Sequence, residues 1–334
     1  PVEASGAAGY VLEYGAALLW EFYLSIRVHK ERGFDVIQAC NPPDNIFLIG
    51  LFWKLLLGKK FIFDHHDINP ELYIAKFGRK DAFYGLMRLW ERLTFKTADR
   101  SIATNESYKQ IAVVRGQMPP DKVTVVRSGP SLERMQIVPP NPALKKGRAY
   151  LVGYVGVMGR QEGIDHLLEA VRILVHDMQR RDIHFILVGG GTELNAMRRL
   201  AKDLAVDDHV TFTGRIPDGP MLEALCTADI CVNPDIANPM NDKSTMNKIM
   251  EYMALGKPVV QYDLTEGRFS ARGASLYAEP NNPSDLAAKI AFLADHPENR
   301  EAMGRFGRER IHTELHWGIE APKYLQVFDS LLTF

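Results

Sequence analysis

Cysteine is scarce in this sequence. Its 334 residues include three cysteines, Cys40, Cys226 and Cys231, and none of them sits in a C-x-x-C motif. Three such residues cannot form a disulfide framework or a cysteine-based zinc site. The low cysteine count therefore excludes a disulfide-stapled secreted scaffold and favours a reducing compartment.

Long hydrophobic runs are also missing. The longest apolar stretches, residues 46–52 and 55–57, are separated by Trp53 and Lys54 and followed by Lys59 and Lys60. A helix needs about 20 apolar residues to span a bilayer, so these stretches cannot do so. Two interpretations remain, a buried helix and a partly exposed helix that lies on a membrane, and we favour the buried one.

The sequence has no excess of charge of either sign. Lys and Arg total 40 and Asp and Glu total 41, which gives a net charge of −1. Such a chain has no overall field that would attract nucleic acid, and we expect no nucleic-acid partner. The start of the chain shows no signal-peptide pattern, and because residue 1 is Pro we expect the chain to begin inside a longer product.

What is present is an ordinary globular composition with a regular alternation of strands and helices. Hydrophobic residues make up 46% and charged residues 24%, and the length corresponds to about two domains. Strands alternate with helices of ten or more residues, which predicts βαβ units with parallel sheets. In the first half we predict strands at 35–40, 60–64, 99–104 and 122–127, with helices at 12–32 and 82–97.

The alternation stops and restarts once. Residues 128–149 are rich in proline and lose periodicity, which indicates a linker. Beyond it we predict strands at 150–156, 183–188, 209–213, 229–233 and 258–262, and helices at 164–179, 192–205, 219–227, 244–255, 284–295, 298–313 and 319–332. We therefore expect an α/β protein of two doubly wound Rossmann-like domains that face each other across a cleft. The expected parts are an N-terminal domain (1–130), a linker (131–149), a C-terminal domain (150–315) and a final helix (316–334) that packs back on the N-terminal domain.

A glycine-rich loop follows one of the predicted strands. In residues 185–193 (FILVGGGTE), an apolar strand leads into Gly189, Gly190 and Gly191, and a helix is predicted from Thr192. Glycine lets a ligand approach the backbone, and a helix N-terminus offers free N–H groups to an anion. An ordinary strand–helix turn would have the same residues, so the loop alone does not establish a binding site.

A polar loop precedes a later helix, in residues 241–251 (NDKSTMNKIME). Ser244 or Thr245 is predicted to cap that helix, and its first amides would suit a diphosphate. Lys248 and Glu251 lie three residues apart, so both can point into the same cleft. There the ammonium would suit a diphosphate and the carboxylate a ribose diol. The alternative is an ordinary surface Lys–Glu pair.

Several motifs in the second half resemble those of the retaining GT-B glycosyltransferases of family 4, also described as glycosyl transferases group 1. The resemblance extends to the branch that builds bacterial surface polysaccharides. The matching segments are 154–170 (YVGVMGRQEGIDHLLEA), 185–193, 210–218 (VTFTGRIPD), 228–234 (ADICVNP) and 251–260 (EYMALGKPVV). The first half matches more loosely, at 60–71 and 99–127.

The resemblance implies roles for several residues of this sequence. Glu251 matches the second acidic residue of the family's E-x7-E motif, which holds the nucleotide ribose. Ile216 matches the position where the main chain contacts the base. Gly189, Gly190 and Gly191 would line the donor pocket. The residues expected to present amides to the diphosphate or sugar are Ser244, Thr245 and Met246.

The sequence departs from the family pattern at the phosphate-binding positions. Lys243, next to Asp242, stands where the family has the first glutamate of E-x7-E. The family's usual Arg and Lys of the first loop align with Val157 and Glu162. We therefore expect Arg160, Lys248 and Lys243 to be the cations that bind the diphosphate.

A third candidate site follows the second strand, in residues 63–71 (FDHHDINPE). Paired histidines beside Asp64 and Asp67 are compatible with a metal site or a general base, but adjacent residues on an extended chain point in opposite directions. The family resemblance places a His-Asp pair in the acceptor domain, matching His66 and Asp67, with His65 as the alternative. His66 would orient groups more than abstract a proton. A structural loop histidine is the other interpretation.

The resemblance implies a retaining, hexosyltransferase-like enzyme that moves a sugar from a UDP- or GDP-sugar to a glycan or lipid-linked acceptor. We expect no required cofactor or metal, a cytoplasmic location and possible peripheral association with the inner membrane face. The family's opening strand and glycine-rich loop have no counterpart before residue 12, so we expect an incomplete first βαβ portion. Alternatives are another GT-B enzyme, such as a nucleotide-sugar epimerase, and a non-catalytic nucleotide-sugar-binding or scaffold protein.

Overall fold

The computed structural model describes residues 6–332, and their contacts divide the chain into two units. The first unit runs to Arg127 and includes the chain from Glu320 onward, and the second unit is Ser128–Ile319. Each unit is built around its own parallel sheet, so the prediction of two α/β domains is confirmed. The functional division into an acceptor domain and a donor domain stays a prediction.

The first unit contains a four-stranded parallel sheet in the order β1-β2-β3-β4. Its elements are α1 (Gly6–Arg32), β1 (Val36–Cys40), α2 (Phe47–Leu57), β2 (Lys60–His65), α3 (Asn69–Phe77), α4 (Ala82–Thr97), β3 (Arg100–Ala103), α5 (Glu106–Gln110) and β4 (Val123–Val125). Five of the six residues of β2 are buried, as expected for a strand covered on both faces. All four strands predicted for this half are present.

The second unit contains a six-stranded parallel sheet in the order β10-β9-β8-β5-β6-β7. Its elements are β5 (Tyr150–Val155), α6 (Ile164–Arg172), β6 (Ile183–Val188), α7 (Leu194–Asp203), β7 (Val210–Gly214), α8 (Asp218–Thr227), β8 (Ile230–Asn233), α9 (Asn247–Ala254), β9 (Val259–Tyr262), α10 (Thr265–Ala271), β10 (Ser275–Ala278), α11 (Pro283–Asp295) and α12 (Pro297–Arg310). The last helix, α13 (Trp317–Leu332), belongs to the first unit from Glu320 onward.

The C-terminal helix α13 completes the core of the first unit. Val327 is buried in one cluster with Ile62, Ile102 and Val126 of the sheet region. The carboxylate of Glu320 is buried and accepts a hydrogen bond from the backbone N–H of Arg127 at 3.0 Å. This helix therefore supplies both apolar contacts and a buried polar anchor to the first unit.

Two sequence-based details differ from the structure. The helix predicted at 244–255 begins at Asn247, and its N-cap is Met246, which provides no side-chain cap. The Ser244 hydroxyl instead donates to the Met240 carbonyl at 2.8 Å, so the capping role expected of Ser244 or Thr245 is wrong. The strand β10 and the helices α3 and α10 were not predicted, because they are short and have weak periodicity. The sequence does predict a helix start at 105–107 with Asn105 as its N-cap, and α5 confirms this prediction.

The helix α2 is buried on one side and exposed at its C-terminal end, and its contact with a membrane stays a prediction. Ile49 and Trp53 are buried, whereas Leu55, Leu56 and Leu57 at its C-terminal end are exposed. Within residues 6–332, no helix is both long and apolar enough to cross a membrane.

Candidate functional site

A large open pocket lies at the carboxyl ends of three neighbouring strands in the second unit. Its volume is about 1000 Å³, and it is lined by the segments that follow β5, β6 and β7 together with Glu251 of α9. Ligands of doubly wound sheets bind at this edge, beyond the carboxyl ends of the strands. The lining residues are Arg134, 155–157, 188–191, 215–218, Met221 and Glu251.

The three predicted glycines line this pocket but have different roles. Gly189 has φ +134°, and a Cβ there would lie 1.8 Å from the Gly156 carbonyl oxygen. A Cβ on Gly191 would lie 2.4 Å from the Met158 carbonyl oxygen. For a Cβ on Gly190 the nearest atom would be the backbone nitrogen of Arg215, at 3.9 Å. The first and third glycines therefore allow two loops to pack together, and only Gly190 leaves open space for a ligand.

Glu251 lies in the pocket beside the ion pair of Arg134 and Asp218. Its Oε1 is 3.6 Å from a guanidinium nitrogen of Arg134. The Arg134 guanidinium in turn donates to both oxygens of Asp218, at 2.7 and 2.9 Å. Burial raises the pKa of Glu251, and the positive charge of Arg134 opposes that effect. Ile216 lines the same pocket, so two predicted donor-binding residues are brought together.

The Lys248 side chain is 11% exposed and contacts residues of the segments that follow β5 and β8. Its ammonium donates to Glu162 at 2.5 Å and to Asp235 at 2.9 Å, and it lies 5.0 Å from the centre of the Tyr154 ring. Although burial acts against the charged form, the carboxylates of Asp235 and Glu162 raise the pKa of Lys248. Its charge is thus neutralised by side chains of this chain, and it does not line the pocket.

The other predicted phosphate-binding residues also lie outside the pocket lining. The Arg160 side chain is 89% exposed, and its guanidinium makes an ion pair of 3.7 Å with Glu193. Lys243 donates to the Pro239 carbonyl at 3.2 Å. Ser244 and Thr245 precede α9, and Met246 packs against a core cluster of the second unit.

Two arginines that sequence reasoning missed line the pocket instead. Arg134 comes from the proline-rich segment after the first unit, and Arg215 follows β7. Arg215 is exposed, and its side chain has no hydrogen bond or ion pair with the residues that the structure describes. Its place beside Ile216, in the string GRIPD, was the available signal.

The candidate site predicted in residues 63–71 is in the first unit, at the carboxyl end of β2. Asn41, which follows β1, organises the loop after this strand. Its Oδ1 accepts from the backbone N–H groups of His66 and Asp67, at 3.0 and 3.1 Å, and its Nδ2 donates to the Asp67 carbonyl. The polar loop after β1 thus fixes the two predicted acceptor-site residues.

The two adjacent histidines have opposite surroundings, as expected for an extended chain. His65 is buried among Phe63, Phe95 and Tyr108, and burial lowers its pKa to about 3. His66 is 49% exposed, and its Nε2 lies 3.1 Å from Asp64 Oδ1. The hydrogen bond to Asp64 raises the pKa of His66, while partial burial acts in the opposite direction.

The companion carboxylate Asp67 lies in the same loop and, like His66, is exposed over a substantial part of its surface. Burial raises the pKa of Asp67, and the charges of His66 and Lys76 oppose that effect. Among residues 6–332, no group of three or more His, Cys, Asp or Glu side chains is arranged to hold a metal ion.

Comparison with known families accounts for most of the chain. Residues 7–134 match the family described as Glycosyltransferase Family 4, and residues 149–296 match Glycosyl transferases group 1. The chain belongs to glycosyltransferase family 4. The resemblance to glycosyltransferase family 4 inferred from the sequence motifs is confirmed.

Individual relatives of this family 4 chain are distant. It is 27% identical over 173 residues to a GDP-mannose-dependent monoacylated alpha-(1-6)-phosphatidylinositol monomannoside mannosyltransferase of Corynebacterium glutamicum, covering 51% of this chain and 44% of that protein. The chain spans about half the length of the first curated relatives that it matches.

Solved structures confirm the GT-B fold. The sucrose-phosphate synthase of Thermosynechococcus elongatus has a TM-score of 0.79 at 20% identity, covering 94% of this chain and 78% of that one. Anabaena HepE in complex with UDP has a TM-score of 0.74 at 16% identity, covering 94% and 82% of the two chains. At such identities the likeness establishes the fold alone.

Proposed function

We propose that this protein is a retaining glycosyltransferase that moves a sugar from a nucleotide-diphosphate sugar to a glycan or lipid-linked acceptor. The observation that carries the proposal is the convergence of Glu251, Ile216 and the glycine loop on one pocket at the carboxyl edge of the second sheet. Membership of family 4 supplies the reaction class. A UDP- or GDP-sugar is the proposed donor, since a relative is named as GDP-mannose-dependent and HepE was solved with UDP.

Each part of the donor would meet a different part of the pocket. Glu251 would accept both hydrogen bonds of the ribose diol, and the main chain at Ile216 would contact the base. The diphosphate would lie over Gly190, where the backbone can be approached, and beside the exposed Arg215. Stabilising the charge of the departing diphosphate is then the main catalytic contribution of the second unit.

Lys248 has an indirect role in this proposal. Its ammonium is held by Glu162 and Asp235, so it would stabilise the loops that form the pocket floor rather than bind phosphate directly. Glu162 stands where the family usually has a cation, and Lys248 supplies a positive charge beside it from another element. In the first unit, His66 and Asp67 would bind and orient the acceptor hydroxyl.

An acceptor carried by a lipid requires contact with a membrane, and the first unit has a suitable surface. Leu55 and Leu56 of α2 are 78% and 60% exposed, and Leu19 and Trp20 of α1 are also exposed. The two helices are in contact through Phe22 and Phe52, and the exposed Lys60 follows α2. Apolar side chains beside a cation are typical of a surface that lies on an anionic membrane. The three free cysteines support a cytoplasmic location.

The membrane proposal is tested by sedimentation with phosphatidylglycerol and with phosphatidylcholine vesicles. The wild type should sediment with the anionic vesicles, and a Leu55→Ser, Leu56→Ser double variant should not. Leu89→Ser, which changes an exposed leucine on α4, is the matched control. Equal sedimentation of the double variant and the wild type would contradict the proposal.

The transferase proposal is tested by incubating the protein with UDP-, GDP- and ADP-sugars, with and without polyprenyl-diphosphate sugars or aryl glycosides as acceptors. We expect release of the nucleotide only when an acceptor is present. Proton NMR coupling constants of the product should show the anomeric configuration of the donor, as retention requires.

Other outcomes would identify the alternatives. Conversion of the donor sugar without an acceptor would indicate an epimerase. Binding of a nucleotide sugar without any turnover would indicate a binding protein. Failure of all three nucleotide diphosphates to bind in calorimetry would remove the donor-site assignment.

A further inference from the structure

The imidazole of His66 is held through one of its two nitrogens. Its Nε2 lies 3.1 Å from Asp64 Oδ1, in hydrogen-bond contact. No hydrogen bond or ion pair joins its Nδ1 to any residue that the structure describes. A carboxylate at one ring nitrogen determines which nitrogen carries the proton in the neutral ring.

Asp64 is itself oriented by the neighbouring strand. Its Oδ2 accepts a hydrogen bond of 2.7 Å from Gln38 Nε2. Gln38 lies on β1, which pairs with β2 in parallel, and Asp64 is buried near the end of β2. Both carboxylate oxygens are therefore occupied, and the carboxylate plane is fixed relative to His66.

Gln38 is oriented in turn by the C-terminal helix. The Tyr324 hydroxyl of α13 donates to Gln38 Oε1 at 2.5 Å. Because an ionised carboxylate only accepts hydrogen bonds, the amide nitrogen of Gln38 must face Asp64 and its oxygen must face Tyr324. The direction of each hydrogen bond from Tyr324 to His66 is thereby determined.

We propose that Tyr324, Gln38 and Asp64 form a positioning relay that holds neutral His66 in its Nε2–H tautomer and presents Nδ1 to the acceptor hydroxyl. On the proposed function, that hydroxyl donates a hydrogen bond to Nδ1, and the three relay residues act through His66 without contacting substrate. The identification of the Nδ1 partner as the hydroxyl of a sugar acceptor rests on the proposed function. The tautomer of His66 does not depend on it.

Several other titratable groups lie near His66 and would affect a simple pH profile. Asp67 is in the same loop, His65 is adjacent, Asp64 is on β2, and Lys76 of α3 interacts with Asp67. The decisive measurement must therefore report on the nitrogens of His66 itself.

The test is a long-range proton–nitrogen NMR correlation on the full chain labelled with nitrogen-15 histidine, with His66 assigned by the loss of its signals in His66→Gln. The wild type should show the Nε2–H tautomer above the pKa of His66. Asp64→Asn should give a mixture of tautomers and lower the pKa of His66, because the charge and the hydrogen bond that favour the protonated ring are lost. An unchanged tautomer and pKa in Asp64→Asn would overturn the relay.

The role of the C-terminal helix is tested separately. Gln38→Leu and Tyr324→Phe should each shift the tautomer ratio in the same direction as Asp64→Asn, by a smaller amount. Tyr84→Phe is the matched control, because its hydroxyl contacts Arg88 and not the relay. If Tyr324→Phe behaves as this control does while Asp64→Asn shifts the ratio, α13 does not belong to the relay. Thermal unfolding of each variant verifies that it is folded.

Activity measurements distinguish failure of the relay from failure of the proposed function. With a donor that supports transfer, Asp64→Asn should lower kcat about tenfold or more and leave the KM for the donor unchanged, because acid–base positioning contributes such factors. Transfer with an unaltered His66 tautomer in Asp64→Asn would refute the relay alone. A shifted tautomer in a protein that transfers no sugar would refute the proposed function alone.

Discussion

At the residue scale, the positive charge of the candidate pocket comes from side chains that the motifs did not identify. The sequence favoured Lys248 and Arg160 as phosphate-binding cations. Lys248 is neutralised by the carboxylates of Glu162 and Asp235, and Arg160 is almost fully exposed outside the pocket lining. Arg134 is engaged by Asp218, which leaves Arg215 as the lining cation without a partner among residues 6–332.

Arg215→Gln should therefore weaken binding of the preferred nucleotide diphosphate about tenfold, since a hydrogen bond to a charged group contributes about 1.5–3 kcal/mol. Binding of the corresponding nucleoside should be unchanged. Isothermal titration calorimetry with UDP, GDP and their nucleosides measures both effects.

The control for this change is Arg199→Gln, an exposed arginine on α7 outside the pocket lining. Arg160→Gln provides the opposing test. Loss of affinity in Arg160→Gln but not in Arg215→Gln would restore the cation expected from the sequence.

Glu251 is the residue on which the donor assignment chiefly depends. Glu251→Gln should reduce the affinity for the preferred nucleotide about tenfold to a hundredfold, because the charged acceptor of the ribose hydroxyls is lost. Calorimetry measures the change, and Glu223→Gln on α8 is the matched control. Undiminished affinity in Glu251→Gln would exclude a contact between this carboxylate and the ribose.

His66 should also contribute to stability in a pH-dependent way. Its folded-state pKa is raised above the usual 6.5 by Asp64, so its stabilising effect is fully present below that value and is lost as the pH rises through the raised pKa. We expect wild type and His66→Gln to differ more in urea midpoint at about pH 5.5 than at about pH 8.5. Because the side chain is half-exposed, the effect should be small. Equal differences at the two pH values would contradict it.

At the scale of elements, the loop after β6 combines two requirements in three consecutive glycines. Gly189 and Gly191 let this loop approach the loop after β5 at backbone contact distance. Gly190 lies between them and borders open space in the pocket. One short motif thus holds two strand-end loops together and leaves room for a ligand.

Gly189→Ala should destabilise the second unit by about 2–4 kcal/mol, because the new methyl group would overlap the Gly156 carbonyl and the backbone has a positive φ. Gly190→Ala should leave stability within about 0.5 kcal/mol and weaken nucleotide binding. Thermal unfolding and calorimetry on the two variants separate these effects. Equal stability of both variants would contradict the assignment of roles.

At the scale of the whole molecule, the chain crosses between the two units twice, at 127/128 and at 319/320. The second crossing adds α13 to the core of the first unit through Val327 and Glu320. The same helix contributes Tyr324 to the network that reaches His66. The stability of the first unit and the order of its candidate site therefore both depend on residues near the end of the chain.

Glu320→Ala should destabilise the first unit by about 1–3 kcal/mol, since it leaves the buried N–H of Arg127 without this acceptor. Hydrogen exchange should show faster exchange in β1 to β4 and unchanged protection in β5 to β10. Gln326→Ala, on an exposed position of α13, is the control. Equal acceleration in both sheets would show that the helix does not act specifically on the first unit.

The sequence by itself determined the two α/β units, most of their strands, and the family. These follow from local signals, namely apolar runs, helical periodicity, glycines at strand ends and the EYMALGKPVV string, all of which are contained in short segments. The short strand β10 and the brief helices α3 and α10 carried too little periodicity to be recognised. The capping role of Ser244 or Thr245 failed because α9 begins at Asn247 with Met246 as its N-cap, and the Ser244 hydroxyl donates to the Met240 carbonyl.

The tertiary structure decided which charged side chains are left to bind a ligand and which histidine is oriented by a carboxylate. Lys248 and Glu162 are 86 residues apart, so no local pattern could reveal that they form an ion pair. Tyr324 and Gln38 are 286 residues apart, so no local pattern could reveal that they orient Asp64. The difference between Gly189 and Gly190 likewise depends on a neighbouring loop. Charge neutralisation, tautomer and free space are properties of groups in contact, and contact between distant residues exists only in the folded chain.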